Sequence, residues 1–330
     1  MGRRRDHVLS VAEKLRPAPA DEGAGFGGQL LGHHPQLLRP AVGHRTIAAQ
    51  TGAQPLVWAI ARTPRLAEEQ PMPKTESPTP GQNCGFGVDV GGSGVKGGVV
   101  DLDTGQLIGE RFKVPTPQPS TPEAVAATIA EVVRHFDWTG PLGVTYPGVV
   151  VNGVVQTAAN VDKGWIGTNA AEVISGALGG QRVTVLNDAD AAGLAEQRHG
   201  AGRNKDGVIV LLTFGTGIGS AVIHNGQLLP NTEFGHLEVG GKEAEHRAAS
   251  SAKERKDWSY ERWTEEVTKV LVSIENAIWP DLFIAGGGIS RKADKWIPLL
   301  KNRTPVVAAE LLNEAGIVGA AMAAHADATR

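Results

Sequence analysis

A carboxylate at the end of an apolar segment is the first candidate for chemistry in this chain. Residues 183–186 (VTVL) read as a buried strand, Asn187 and Asp188 follow at its end, and the alanine-rich residues 189–196 read as a helix. Open α/β sheets bind ligands at the carboxyl ends of their strands, so Asp188 is a candidate general base. The alternative is a plain helix cap, which is the commoner role of a single Asp at such a junction.

Three glycine-rich turns, each after an apolar segment, are the second signal. Glycine lets the backbone approach a ligand closely, and the free amides of such turns attract anions. One turn is weak evidence because glycine also makes hairpins, but three favour a bound phosphate chain. The first is not a Walker motif, since its lysine lies in a predicted strand. The predicted donor-phosphate residues are Gly91, Gly92, Ser93, Gly94 and Lys96; Gly215, Thr216, Gly217 and Gly219; and Gly286, Gly287 and Gly288.

Acidic and imidazole side chains near these turns predict metal and sugar contacts. Asp89 lies at the strand end before the first turn and is predicted to hold Mg²⁺ through water, because hard cations prefer carboxylate oxygen. Its alternative role is to cap the turn. Glu233 and His236 offer the acceptors and donors that vicinal sugar hydroxyls need. Zinc is not predicted there, because the spacing is not that of a helical zinc motif and Cys84 is the only cysteine.

The composition indicates an α/β protein with many tight turns. The chain has 330 residues, enough for two domains, and its 43 glycines accompany only 5% aromatic residues. A net charge of -3 gives no signature of nucleic-acid or membrane binding. The single cysteine excludes an internal disulfide, and neither a membrane span nor a secretory signal is recognisable. We therefore predict a cytoplasmic protein.

The order of the predicted elements indicates two similar halves. Residues 85–105 and residues 207–223 each read as a strand, a glycine-rich turn and a second strand. Such a repeat predicts a duplicated domain. Further strands are predicted at 107–114, 142–146 and 282–285, hairpins at Asn152-Gly153 and Asn225-Gly226, and helices at 122–136, 264–278 and 311–324.

Residues 1–82 differ from the rest of the chain. They are rich in Arg, Pro, Gly, His and Gln and have no sustained helical or strand period. We predict a disordered extension, or a segment upstream of a true start at Met72. A DNA-binding helix-turn-helix would need periodic helices, which the frequent prolines oppose.

Together the motifs resemble the ROK sugar kinases, and more narrowly the actinobacterial polyphosphate glucokinases. The resemblance runs from about residue 86 to residue 325. It implies an α/β, two-lobed, actin-like or hexokinase-like ATPase fold built from duplicated ribonuclease H-like domains. The small lobe would be residues 83–187, completed by a closing helix at 311–325, and the large lobe residues 188–310. The motifs that carry it are DVGGSGVK (89–96), NDADAA (187–192), FGTGIG (214–219), EFGH (233–236) and AGGGISRKADKW (285–296).

The resemblance also implies a function. Glucose would be phosphorylated on its 6-hydroxyl, with inorganic polyphosphate or ATP as donor, Mg²⁺ as cofactor and Asp188 as the base. No structural zinc is expected, since the cysteine cluster that many ROK proteins have after His236 is missing. A homodimer without nucleic-acid or membrane partners is expected. The implied sugar contacts are Asn160, Asn187, Asp188, Glu233, His236 and Glu245.

Two basic stretches bear on the donor. Arg291, Lys292 and Lys295 follow the third glycine turn, where they are predicted to hold it. The other stretch, residues 253–256, is interleaved with acidic residues and reads more readily as solvated helix charges. Two other functions stay open: a strictly ATP-dependent ROK hexokinase and a sugar-sensing ROK transcriptional repressor.

Overall fold

Two five-stranded sheets form the framework of the protein. In this computed structural model residues 83–159 and 161–329 are described, so the predictions for residues 1–82 and for Asn160 lie outside the described residues. The strands are β1 (Cys84–Gly91), β2 (Gly94–Asp101), β3 (Gln106–Val114), β4 (Leu142–Tyr146), β5 (Val150–Val151), β6 (Val154–Val155), β7 (Val183–Asn187), β8 (Val208–Phe214), β9 (Ile218–His224), β10 (Gln227–Leu229), β11 (Leu282–Gly286) and β12 (Val306–Ala308).

The two sheets share one connectivity. The first has the order β3-β2-β1-β4-β7 and the second the order β10-β9-β8-β11-β12. In each sheet the first three strands of this order are antiparallel neighbours. The last two strands run parallel to the third, which is β1 in the first sheet and β8 in the second. This repetition confirms the α/β fold class and the duplication that the sequence predicts. The hairpin of β5 and β6 forms a separate two-stranded sheet, as predicted.

Seven α-helices cover these sheets in the described part of the chain. They are α1 (Pro122–His135), α2 (Ala170–Ala177), α3 (Asp188–His199), α4 (Ala244–Ala248), α5 (Ser250–Arg255), α6 (Tyr260–Ile278) and α7 (Ala315–Ala328). Helix α1 begins as predicted, with the Thr121 side chain accepting the Ala124 N–H and a proline in the first turn. No described helix is long and apolar enough to cross a membrane.

Two predicted helix boundaries were wrong. Helix α6 begins at Tyr260 rather than at 264, because the Ser259 side chain caps it by accepting the Arg262 N–H. Helix α7 begins at Ala315 rather than at 311, because a 3-10 turn, Leu312–Glu314, precedes it. Three short helices, α2, α4 and α5, and the strand β12 were not predicted, since such segments are too short to show a period.

Helices α3 and α7 pack against each other at very close range. A Cβ atom on Gly319 of α7 would collide with the backbone oxygen of Ala191 in α3. On its other side α7 lies on the first sheet, where a Cβ on Gly143 would collide with the Ala320 oxygen. Helix α3 also packs along β9, with Gly193 against Ala221. Glycine at these places lets α3, which begins at Asp188, be fixed against α7 and the second sheet.

Candidate active site

The junction of β7 and α3 positions Asp188. The Asn187 side chain caps the helix: its Oδ1 accepts the N–H groups of Ala189 at 2.8 Å and of Asp190 at 3.1 Å. Its Nδ2 donates to the Gly148 oxygen at 3.1 Å. The cap role considered for Asp188 is therefore wrong, because Asn187 fills it. Asp188 is the first residue of the helix, and its carboxylate accepts the N–H of Ala189 at 2.9 Å.

Three carboxylates act on one another at this junction. The Asp188 side chain is exposed at the surface, yet the surrounding protein raises its pKa to about 6 by displacing water. The negative charges of Asp89 and Glu233 raise the pKa further, while the Ala189 N–H opposes them. A base with a pKa close to neutral is suited to take a proton near pH 7.

Asp89 is fixed at the end of β1 by hydrogen bonds. Its Oδ2 accepts from Lys96 Nζ at 2.9 Å, and its Oδ1 accepts from Thr145 Oγ1 at 2.9 Å. Thr145 is fully buried and also accepts the Val90 N–H at 3.0 Å. Helix α7 approaches from the other side, because a Cβ on Gly316 would lie 2.9 Å from Asp89 Oδ1. Lys96 and Thr145 thus orient this carboxylate beside the first glycine turn.

The second glycine turn is held by the start of α5. The Gly215 oxygen accepts the Ser251 N–H at 3.1 Å and the Ser250 hydroxyl at 3.0 Å. The Ser251 hydroxyl donates to the Thr216 oxygen at 2.6 Å. Glu245 reaches the same turn, since a Cβ on Gly217 would collide with its carboxylate. Because these bonds engage the carbonyl side of the turn, α5 stabilises its conformation.

The third glycine turn lies beside the second. Strand β11 runs parallel to β8, with Gly286 opposite Thr213, so both turns are at the carboxyl ends of neighbouring strands. Gly287 has a φ of 81°, and a Cβ there would collide with the Phe214 oxygen. A 3-10 helix, Gly288–Lys295, follows at once. It carries the predicted donor cations, all exposed: Arg291, Lys292 and Lys295.

The predicted sugar-binding side chains are partly brought together. Glu233 directly precedes a 3-10 helix, Phe234–His236. Burial raises the pKa of Glu233, His236 opposes this effect, and the negative charge of Glu245 adds to it. His236 Nδ1 lies 3.7 Å from Glu243 Oε1. Potential ligand atoms of His236, Glu243 and Glu245 all lie within 4.8 Å of one another. The structure therefore groups His236 with Glu245, and it links Glu233 electrostatically to both Glu245 and Asp188.

Comparison with known proteins identifies the family. The ROK family matches residues 85–250. A polyphosphate glucokinase of Mycobacterium tuberculosis (strain H37Rv) is 75% identical over 256 residues, which cover 77% of this chain and 97% of that protein. The chain belongs to the ROK family. A polyphosphate glucokinase of Mycobacterium leprae is 69% identical over 327 residues, covering 99% of this chain and 97% of its own length.

A solved structure supports the same assignment of the ROK fold. The inorganic polyphosphate/ATP-glucomannokinase of Arthrobacter sp. strain KM is 49% identical and superimposes with a TM-score of 0.71. The alignment covers 74% of this chain and 99% of that enzyme. This chain therefore shares its overall architecture with a relative that is named a polyphosphate/ATP-glucomannokinase.

Several residues that position the site in this ROK protein were missed by the sequence analysis. Arg247 donates to the oxygens of Val239 (3.0 Å) and Gly240 (3.1 Å), just after His236, and it is paired with Glu266. Burial alone would raise the pKa of Glu266, but hydrogen bonds from Lys269, Arg247 and Arg262 lower it to about 2. The Arg247–Glu266 pair thus braces the loop behind His236. A Glu and an Arg nineteen residues apart carry no local pattern that would reveal it.

Proposed function

We propose that this ROK protein is a glucokinase that transfers a phosphoryl group from inorganic polyphosphate to the 6-hydroxyl of glucose. The observation that carries the proposal is the Asp188 carboxylate. Asn187 caps the helix in its place, and the charges of Asp89 and Glu233 act on it. The relatives named polyphosphate glucokinase, 69% and 75% identical, support both the sugar and the donor.

Asp188 is the proton acceptor in the proposed reaction. The 6-hydroxyl oxygen of glucose attacks the terminal phosphorus of the donor, and Asp188 takes the hydroxyl proton as the new O–P bond forms. The bond from that phosphorus to the bridging oxygen breaks, and the shortened polyphosphate leaves with the electron pair. The products are glucose 6-phosphate and a polyphosphate one unit shorter.

Charge neutralisation supplies much of the catalysis. The phosphate chain is proposed to lie against the first turn (Gly91, Gly92, Ser93, Gly94) and the second turn (Gly215, Thr216, Gly217, Gly219), with Lys96 beside the first. The Gly215 N–H donates to the Gly217 oxygen at 3.0 Å and shapes the second turn. Backbone amides fixed before the reaction stabilise developing negative charge without reorganising. The third turn (Gly286, Gly287, Gly288) extends this donor site along the second sheet.

The acidic groups of this site fit a hydrated Mg²⁺ ion. Each oxygen of Asp89 accepts one hydrogen bond and has a further lone pair, so it can accept one from a metal-bound water. The mutual repulsion of Asp89, Asp188 and Glu233 also favours a nearby cation. When bound, Mg²⁺ would neutralise charge on the phosphoryl group during transfer. Neither zinc nor a cysteine cluster enters the proposal.

Glucose is proposed to contact the side chains around Asp188. Glu233, His236 and Glu245 supply acceptors and a donor for vicinal hydroxyls. Asn187 contributes the hydrogen-bonding capacity that remains beyond its bonds to Ala189, Asp190 and Gly148. Asn160 is proposed from the family resemblance. Asp188 completes the set by binding the 6-hydroxyl.

Replacing Glu233 by Gln is expected to weaken glucose binding. The amide is isosteric but replaces one acceptor by a donor, so the glucose KM should rise about tenfold while kcat changes less. Steady-state kinetics at saturating donor measure this. His224→Gln, on the exposed end of β9, is a control that should leave both constants unchanged. An unchanged glucose KM in E233Q would argue against a sugar contact.

Parallel assays with two donors test the proposed function. Glucose phosphorylation is measured with polyphosphate and with ATP, each with Mg²⁺. The Arthrobacter relative is named for both donors, so we propose ATP as a second donor here. Activity with ATP alone would establish a strictly ATP-dependent hexokinase. Activity with neither donor, together with sugar-dependent DNA binding, would establish a repressor instead.

We also propose that the protein works in the cytoplasm as a homodimer. The proposal rests on the ROK resemblance. It also rests on exposed apolar side chains such as Trp279 and Leu229, 67% and 60% accessible, which a subunit interface would cover. Light scattering on the purified protein measures the mass directly, and a monomer at working concentration would contradict this proposal.

Deleting residues 1–71 is expected to leave glucokinase activity and melting temperature nearly unchanged. The segment lacks a pattern able to bury a core, and the M. tuberculosis relative is 97% covered by an alignment that spans only 77% of this chain. The measurement compares kcat, both KM values and Tm of the truncated and full-length proteins. A drop in Tm of many degrees would show that the segment packs on the kinase body.

A further inference from the structure

Asp190 is a buried carboxyl group that the proposed mechanism does not use. It is the third residue of α3, two positions after Asp188, and only 1% of it is exposed. An acidic side chain at this position often bonds back to the start of its own helix. Here Oδ2 accepts the N–H of Asn231, 41 residues later, at 2.8 Å. The other oxygen, Oδ1, is buried and has no hydrogen-bond partner in the described part of the chain.

Asn231 connects α3 to two other segments of the site. Its side chain pairs with the backbone of Val150 in β5, accepting the N–H at 3.0 Å and donating to the C=O at 2.9 Å. Its φ of 59° is in the left-handed region, which Asn tolerates better than most residues. Glu233 follows two residues later. The bond from Asn231 to Asp190 therefore fixes the start of the loop that carries Glu233.

The charges around Asp190 disfavour its ionised form. Burial is the largest influence, and Glu233 and Asp188 add negative charge, while the Asn231 N–H and the start of α3 favour the anion. The balance raises the pKa from 3.8 to about 7. Among the described residues, the charged side chains with the largest effect on the Asp190 pKa are both acidic, and none is a cation. An ionised carboxylate would also leave Oδ1 charged, buried and without a donor, which costs more than an uncharged group there.

We infer that Asp190 is a positioning residue of the sugar site: as a neutral carboxylic acid it anchors the loop of Glu233 to the helix of Asp188. The inference rests on the proposed function, because it assumes that Glu233 binds the sugar. The acid oxygen that accepts the Asn231 N–H does the anchoring, and the proton on the other oxygen keeps Asp190 from adding a further negative charge beside Asp188 and Glu233. Without the anchor, the loop has to be ordered when glucose binds.

A pair of substitutions separates anchoring from charge. Asp190→Asn keeps an acceptor for the Asn231 N–H and is uncharged, so it imitates the protonated acid; Asp190→Ala removes the acceptor. We expect the glucose KM to rise about tenfold in D190A, the usual effect of losing one buried hydrogen bond, with a smaller change in kcat. In D190N it should stay within about threefold of the wild type. Asp206→Asn, an exposed residue, is the matched control.

Thermal unfolding as a function of pH tests the proton without relying on activity. The folded protein keeps the Asp190 proton up to about pH 7, whereas the unfolded chain loses it near 3.8. Stability from this group is therefore complete below about pH 4 and is lost as the pH rises towards 7. D190N has no such loss. The difference between the Tm of D190N and the Tm of the wild type should therefore increase as the pH is raised from about 5 to about 8, the window set by the pKa shift of Asp190.

The outcomes discriminate between the two levels of the proposal. If the wild type does not phosphorylate glucose, the proposed function fails, and the unfolding experiment still reports on the proton of Asp190. If the wild type is active but D190A keeps its glucose KM, the anchoring role is wrong. If D190N loses as much as D190A, or if its relative Tm is independent of pH, Asp190 acts as an ionised carboxylate and the inference is overturned. Should D190A fail to fold, the D190N kinetics and unfolding decide.

Discussion

Replacing Asp188 by Asn is expected to lower kcat by a factor on the order of a hundred to ten thousand, the usual contribution of a positioned base. The glucose KM should change much less, because the amide retains an oxygen acceptor at the same place. The fold should be kept, since the cap of α3 is formed by Asn187 and the backbone N–H groups that bond to the Asp188 side chain are only its own and that of the adjacent Ala189. Rapid-mixing or steady-state assays at saturating glucose and polyphosphate measure the effect.

The pH dependence gives a second check on Asp188. The base has to be ionised to accept a proton, and its pKa is raised to about 6 by desolvation from the surrounding protein and by the charges of Asp89 and Glu233. For the wild type, kcat/KM should therefore fall as the pH drops below about 6, and Glu233→Gln should move that limb to lower pH by removing a negative charge. Asp206→Asn serves as the control. Turnover of D188N near the wild-type value would remove Asp188 from the mechanism.

The junction of β7 and α3, with Asp188 at its centre, could be predicted from the sequence because its signals are local. A strand of alternating residues, an Asn and an Asp before an alanine-rich helix, and glycine-rich turns after apolar strands are all contiguous patterns. The structure confirms β7 and the strands around the first two turns within one or two residues, and it confirms α3, which continues three residues beyond its predicted end at Glu196. The repeated unit at residues 85–105 and 207–223 became two sheets with the same strand order.

The remaining parts of the site depend on contacts between distant residues. Thr145 is 56 residues from Asp89, and Asn231 is 41 residues from Asp190. One signal for the Thr145 contact was available in the sequence. Thr145 lies inside the apolar strand LGVTY, and a buried hydroxyl group needs a hydrogen-bond partner. The alternative of a cap at Asp188 was wrong for a different reason: Asn and Asp are nearly equal as caps, so neighbouring positions cannot be ranked from sequence.

Removing the three cations after the third glycine turn is expected to raise the polyphosphate KM about tenfold or more, with little change in the glucose KM. Polyphosphate offers no base to a pocket, and its many charges require an extended cationic surface. Arg291, Lys292 and Lys295 are exposed on the 3-10 helix that begins at Gly288, directly beside the donor turns. The triple Ala variant is assayed with polyphosphate and, separately, with ATP, which has only three phosphates.

The basic stretch at residues 253–256 provides a matched control of equal charge. Lys253 Nζ lies 4.6 Å from the centre of the Tyr260 ring and Lys256 Nζ 4.2 Å from that of Trp258, so aromatic rings hold both side chains to the helix surface. Replacing Lys253, Arg255 and Lys256 by Ala should leave the polyphosphate KM nearly unchanged. In the wild type the polyphosphate KM should rise when salt increases from about 0.05 M to about 0.3 M, because screening weakens an extended ionic contact. The dependence of this KM on salt should become weaker only in the variant of Arg291, Lys292 and Lys295. Equal effects of the two triple variants would mean that the donor is attracted by overall charge rather than held along the 3-10 helix.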